Sequence, residues 1–408
     1  MVNYLTRKKL NIAMICDPIG DFKAGVTVSM ERFGALLSKN GHNIIYIGAK
    51  DKQNKTNGHF VGGKVFRFRS IPVPKSGGWH LAFPTIGEIK KILLDEKIDV
   101  VHMWLPMSGA VVAQMTARAL GVKIVAHSHS QPENVFIDTP KFIQPILFWI
   151  WNKFLAWLYN KADTIIYPSQ MAQELLHHLC QQDKKSVVIS NGINLEEFKP
   201  MGIDDFYNRY NLSSNKLHLV DVGRLYPEKS IETLIKAAPY VIKNRPNTEI
   251  IIVGGGYLRK KLENLSAQIG IKESVKFLGM IDNGDLIKSF NVADIFISPT
   301  LAELEGMTIL EAMACGKPII TTNAKMNAAR FFVKENGFLF EPRNHKDLAE
   351  KIIALLADEN LRSKMANSSL ALSRQYDIHK SVEKLENTYY SLLQTLKSDF
   401  NEMKEMEL

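Results

Sequence analysis

Short, mostly apolar runs rich in Ile and Val recur along this chain, alternating with stretches of helical spacing, and that alternation limits its fold more than any other feature. In the first half, 11–16, 44–47, 64–68, 100–103 and 124–127 read as strands. Helices are expected over 28–40, 86–96 and 109–120, the first and last stopped by Gly41 and Gly121. A second series places strands at 217–222, 249–253, 275–278, 295–298 and 318–321, with helices at 231–243, 258–269, 286–293 and 309–315. Strands that are apolar on both faces must be covered on both, so parallel βαβ units are predicted. Between the series stands a polar hinge, where Asn191-Gly192 is a turn signal and 196–215 is charged and broken by Pro200 and Gly202. The fold class expected is therefore α/β, with two Rossmann-like domains, 1–195 and 196–376, whose parallel sheets face one cleft at their strand ends. Residues 377–408 form a separate C-terminal helix.

At 408 residues the chain is too long for one ordinary core, which agrees with two domains. Cys16, Cys180 and Cys315 are odd in number, widely spaced and without a C-x-x-C pair, so neither a disulfide framework nor a structural zinc site is expected. This usage points to a reducing, cytoplasmic compartment. Arg7, Lys8 and Lys9 precede an apolar run at 12–16 that is too short for a signal-peptide core, and no targeting segment is read there. The net charge of +9 is uneven: residues 1–200 carry 24 Lys and Arg against 15 Asp and Glu, whereas residues 201–408 carry 27 of each. A basic first half suggests a large anionic partner, and an anionic membrane surface is favoured over nucleic acid because no helix-turn-helix, zinc-finger or RNA-binding signature is present. The stretch 142–159, FIQPILFWIWNKFLAWLY, holds seven aromatic residues. Pro145, Asn152 and Lys153 make it a poor membrane-spanning helix. Either a core helix or an interfacial helix fits it, the latter with Trp149, Trp151 and Trp157 at headgroup depth and Lys141, Lys153 and Lys161 beside them.

Glu303 and Glu311 stand eight apart around a loop containing Gly306 that runs into a helix-like stretch. Such a loop offers backbone N–H groups to an anion such as a diphosphate, and the two carboxylates can accept hydrogen bonds from sugar and ribose hydroxyls. In the first half, GDFKAGVT at 20–27 nearly matches a nucleotide-triphosphate loop but has Val26 where the lysine is required. No His, Asp or Glu cluster with metal spacing occurs, and no metal or other cofactor is expected.

The run ELEGMTILEAMACGKPII, starting at Glu303, resembles the Glu-seven-residues-Glu signature of the retaining glycosyltransferases of family 4, which have the two-domain GT-B fold. Gly223-Arg224 with Pro227-Glu228-Lys229 resembles that family's donor-phosphate motif, and Asn191-Gly192-Ile193-Asn194 its interdomain turn. Gly254-Gly255-Gly256, Gly279 and Ala293-Asp294 fill the intervening positions in order, and the resemblance covers roughly residues 10–395. It implies a nucleotide-sugar donor, UDP-linked, bound by Gly25, Gly223, Arg224, Lys229, the loop Leu304, Glu305, Gly306 and Met307, and Glu311. Catalysis would rest on His129, Arg224, Lys229 and Glu303, and the last helix would cross back to the first domain. Arg67 to Pro74 and Gln131-Pro132-Glu133-Asn134 look like the diacylglycerol glycosyltransferases, implying a lipid acceptor at the inner face of the cell membrane. The segment NAKMNAARFF after Thr322 lacks the Gly-Gly of many relatives, which leaves the sugar open.

Overall fold

The structure, a computed structural model, describes residues 8–19, 25–50, 58–73, 79–136, 139–181 and 183–406, excepting the side chains of 58, 59, 133, 134, 204 and 395–406. Residues 20–24 of the glycine-containing loop, Pro74, and the side chains of Glu133 and Asn134 therefore lie outside the described part. The chain divides into two compact units. One comprises Met1–Pro132, Phe142–Ser190 and His379–Leu408; the other comprises Glu133–Lys141 and Asn191–Ile378.

The first unit is built on an eight-stranded sheet. Its order is Ser186–Val188, Thr164–Tyr167, Lys123–His127, Val100–Met103, Asn11–Ile15, Asn43–Ala49, Gly63–Phe68 and Gly58–Phe60. All neighbours are parallel except the last pair, in which Gly58–Phe60 runs antiparallel at the edge. The central strand keeps Ile12, Ala13, Met14 and Ile15 fully buried because helices cover both faces. The helix expected at 28 begins earlier, at Gly25, and ends at Lys39. The C-terminal helix, Ile378–Met406, is tied into this unit by polar contacts. The Tyr389 hydroxyl lies 2.6 Å from His102 Nδ1. The Glu386 carboxylate meets His42 Nε2 at 3.0 Å and Asn40 at 2.8 Å. Because His42 Nδ1 accepts the Leu10 N–H, its Nε2 is left to donate to Glu386.

The second unit has a six-stranded, all-parallel sheet. Its order is Val275–Gly279, Thr248–Val253, Leu217–Val222, Ile295–Ser298, Ile319–Thr322 and Gly337–Phe340. Alternate residues feed two apolar clusters. Leu219, Ile250, Ile252 and Ile297 join Ile235 and Leu348, while Val220, Ile251 and Phe296 join Phe198, Phe290 and Leu310. The chain steps outward from Leu217–Val222 to one edge and then returns to Ile295–Ser298 on its other side. That reversal is a topological switch point, the place in an open parallel sheet where loops diverge and ligands fit at the carboxyl ends. Among the described residues, no helix is long and apolar enough to cross a membrane.

Candidate active site

The loops leaving the two switch-point strands of the second unit carry most of the charged residues singled out above. After Leu217–Val222 the chain passes Gly223 and Arg224 into a tight turn, Pro227–Lys229, ended by Ser230 in the left-handed region (φ 49°). Proline sets the turn's first φ, and Glu228 anchors it. The Glu228 side chain is buried and its Oε1 accepts from Arg224 Nη2 at 3.0 Å, while its carbonyl accepts from Leu301 N–H at 2.7 Å. Glu228 thus clasps the loop after the first strand to the loop after Ile295–Ser298. That clasp brings Lys229 Nζ onto Glu303 Oε2 as an ion pair with both side chains partly exposed. The Arg224 guanidinium lies 4.8 Å from the Tyr226 ring centroid, which with Glu228 fixes its direction. Gly254 (φ +126°) and Gly256 allow the backbones to approach here, since a Cβ at Gly254 would fall 1.9 Å from the Gly223 carbonyl oxygen.

Beneath Lys229 sits Asp221, in the first strand and 3% exposed. Its Oδ2 has no hydrogen-bond partner among the described residues. Burial pushes this carboxyl up to about 7, and the positive charge of Lys229 pulls against that shift. A carboxyl that holds its proton better when folded favours the folded state most at low pH, and this contribution fades as pH rises towards 7. Asp221→Asn is therefore expected to melt higher than the natural chain at pH 8, with the gap clearly smaller at pH 5. Calorimetry at both values checks this, and a lower melting point at pH 8 would contradict the assignment.

Glu303 belongs to a two-residue strand, Ala302–Glu303, paired in parallel with Met326–Asn327 so that Glu303 is opposite Asn327. The segment after Thr322, read above only as a departure from relatives, is thus the wall beside Glu303. Gly306 (φ 105°) turns the chain into helix Met307–Ala314, and a Cβ there would lie 2.5 Å from Ala329 Cβ. Glu305 is less available than the pattern suggests. The buried Glu305 carboxylate accepts from the Asn191 backbone N–H at 3.0 and 3.1 Å and from the Asn191 side-chain amide. Asn191 is therefore a site-shaping residue where the sequence signals only a turn. Glu311 is 5% exposed within its helix.

The first unit gathers a second polar cluster at the carboxyl ends of Val100–Met103 and Lys123–His127. His127 and His129 have ring centroids 4.2 Å apart, and Trp104 stacks on His129 at 5.5 Å. His102 stacks on His127 at 5.4 Å. Burial pulls His129 and His102 down to about 3 and His127 well below its ordinary value, so all three are neutral at physiological pH. Both ring nitrogens of His127, His129 Nε2, both amide atoms of Gln131 and Trp104 Nε1 are enclosed without hydrogen-bond partners among the described residues. Each such orphan costs about 1–3 kcal/mol, so the cluster is built to receive polar groups. Gln131 and Trp104 carry no motif that would have marked them; only the strand ends bring them to His129.

Gly25 opens helix Gly25–Lys39 and is exposed. The three tryptophans of the aromatic segment do not share one face of helix Gln144–Asn160. Trp149 is 63% and Trp157 40% exposed, whereas Trp151 is partly buried, its ring centroid 5.7 Å from that of Phe154. Position 151 lies about 200° around the helix from 149, which turns it towards the protein. Among the described residues no group of three or more His, Cys, Asp or Glu is placed to hold a metal ion.

Comparison with known proteins agrees with this geometry. The family described as Glycosyltransferase Family 4 matches residues 24–197, and that described as Glycosyl transferases group 1 matches residues 203–370. The chain is 26% identical over 356 residues to an uncharacterized glycosyltransferase of Methanocaldococcus jannaschii, spanning 85% of this chain and 88% of that protein. It is 24% identical over 319 residues to the alpha-monoglucosyldiacylglycerol synthase of Streptococcus pneumoniae, spanning 76% of this chain and 70% of that one. Among solved structures, Anabaena HepE in complex with UDP and glucose superposes with a TM-score of 0.75 at 20% identity, covering 94% of this chain and 100% of HepE. With two family matches that together take in both sheets, a doubly parallel architecture and a cation–carboxylate pair at a switch point, the chain belongs to the group 1 and family 4 glycosyltransferases and has their GT-B fold.

Proposed function

We propose that this glycosyltransferase moves a hexose from a UDP-sugar, with retention of configuration, to the hydroxyl of a membrane lipid such as diacylglycerol. The observation that carries the donor half is the Lys229–Glu303 ion pair with Arg224 beside it at the switch point. Lys229 and Arg224 neutralise the diphosphate, Arg224 with a planar fork suited to phosphate oxygens. The backbone from Leu304 to Met307, turned by Gly306, faces the same phosphates, and Gly223 leaves room for them. Glu303 holds sugar hydroxyls and Glu311 the ribose. In the transfer step the bond from the anomeric carbon to the diphosphate oxygen breaks as the acceptor oxygen bonds to the same face. The acceptor proton passes to the departing phosphate. Positive charge on the ring and negative charge on the leaving group are met by fixed protein charges, so this reading requires no metal or other cofactor. His129, with His127 and Gln131, supplies neutral hydrogen bonds to carbohydrate hydroxyls.

The lipid acceptor is supported by the likeness to the monoglucosyldiacylglycerol synthase and by one face of helix Gln144–Asn160. Ile146, Trp149, Ile150 and Trp157 are exposed on it with Lys153 among them, and Phe142 and Lys141 are exposed just before the helix begins. Such a face suits the interfacial zone of a bilayer, placing the enzyme in the cytoplasm against the inner face of the cell membrane. Transfer from labelled UDP-sugars should reach diacylglycerol in vesicles, and Phe142→Ser/Trp149→Ser/Trp157→Ser should weaken vesicle binding by about ten-fold or more at an unchanged melting temperature. Product on soluble acceptors alone, or vesicle binding untouched by the triple substitution, would overturn the lipid reading.

A further inference from the structure

At the carboxyl end of helix Gln144–Asn160 lies a cavity of about 310 Å³ that sugar transfer leaves unused. Its wall carries Arg118, Lys123, Lys161, Lys184 and Lys185 against two acids, Asp163 and Asp183. These cations come from separate stretches of chain and are gathered only by folding. Lys123 opens the strand Lys123–His127 and His127 closes it, so the cavity lies about 13 Å along the strand from the histidine cluster. It is a site apart from the sugar chemistry.

Part of this charge has a structural task. Lys184 Nζ donates to the carbonyl of Asn160 at 2.9 Å and to that of Ala162, Arg118 donates to the carbonyl of Lys161 at 3.0 Å, and Lys123 pairs with Asp163 at 3.2 Å. The C-terminus of helix Gln144–Asn160, about half a negative charge, and two carboxylates offset between two and three of the five cations. About two to three positive charges remain. The cavity also adjoins the apolar face: Lys161 Nζ sits 4.0 Å from the ring centroid of Trp157, the last aromatic of the exposed stripe.

We propose that this cavity binds the phosphate of an anionic glycerophospholipid headgroup while the stripe beside it enters the leaflet. The proposal rests on the membrane reading above and adds to it a discrete phosphate site. Lys161→Gln/Lys185→Gln tests it in the full chain, leaving the carbonyl-capping Arg118 and Lys184 in place. Binding is measured to vesicles of phosphatidylcholine alone and to vesicles with one third phosphatidylglycerol. The natural chain should prefer the anionic vesicles, and the double variant should lose about ten-fold or more there with less than about two-fold change on neutral ones. Lys161→Arg/Lys185→Arg should keep the preference. No preference in the natural chain, equal losses on both vesicles, or no loss would overturn the phosphate site while leaving the membrane reading intact. Failure of the natural chain to bind either vesicle would overturn both. Thermal stabilisation by inorganic phosphate that the glutamine pair abolishes, without a vesicle preference, would reassign the cavity to a soluble phosphate.

Discussion

Lys229→Ala is expected to lower kcat/KM for sugar transfer by about 100-fold or more with little change in melting temperature, and Arg224→Ala by a similar factor but with a lower melting temperature, because it leaves the buried Glu228 carboxylate without its partner. The rate effect is large because a fixed cation facing a developing phosphate charge contributes about 3–4 kcal/mol in an enclosed site. The stability effect of Lys229→Ala is small because its pair with Glu303 is only partly buried, with side chains 20% and 26% exposed, and such pairs add about 1 kcal/mol. The two effects separate catalysis from folding. Initial rates, a UDP titration and a melting curve check the set. UDP affinity should fall together with the rate, since Lys229 is assigned to the diphosphate. A Lys229→Ala/Arg224→Ala chain that still turns over at the natural rate would remove the phosphate role from both.

Glu303→Gln is expected to separate those two readouts. Gln keeps the size and the hydrogen-bonding oxygen but not the charge, so transfer should fall by about 100-fold while UDP binds as tightly as before or better. The reason lies in the pairing: Glu303 competes with the donor phosphates for Lys229, and neutralising it leaves that cation to the nucleotide. Calorimetric titration with UDP alongside rate measurements checks this. A parallel loss of UDP affinity and rate would mean that Glu303 orders the loop instead of meeting the sugar. The contrast with Glu305, two residues on, sharpens the point. Glu305→Gln should disturb the Asn191 contacts and act through stability, because its carboxylate already accepts that residue's backbone and side-chain N–H groups.

Much of this was legible in the linear pattern, for reasons that are local. The strands at 217–222 and 295–298 appear within the expected bounds because a strand buried on both faces is mostly apolar, with His218 and Asp221 as buried exceptions. Arg224, Lys229 and Gly306 stand out because a phosphate loop needs cations and a positive φ at short, regular spacings. Other features escaped because their partners are distant in sequence. Asn191 and Glu305 are 114 residues apart, and His102 meets Tyr389 across 287. The strand Met326–Asn327 is two residues long, too short for any period to show, and exists only because Glu303 lies alongside. Trp151 reads like its neighbours in a run of aromatics, yet helix geometry turns it inward.

By itself the sequence determined the two parallel sheets, the family and the two cations of the loop after 217–222, since each depends on residue type at fixed short spacing. Only the tertiary structure decided which carboxylate meets Lys229, which tryptophans reach the surface and where five scattered cations meet, because burial and pairing between remote residues leave no periodic mark on the chain.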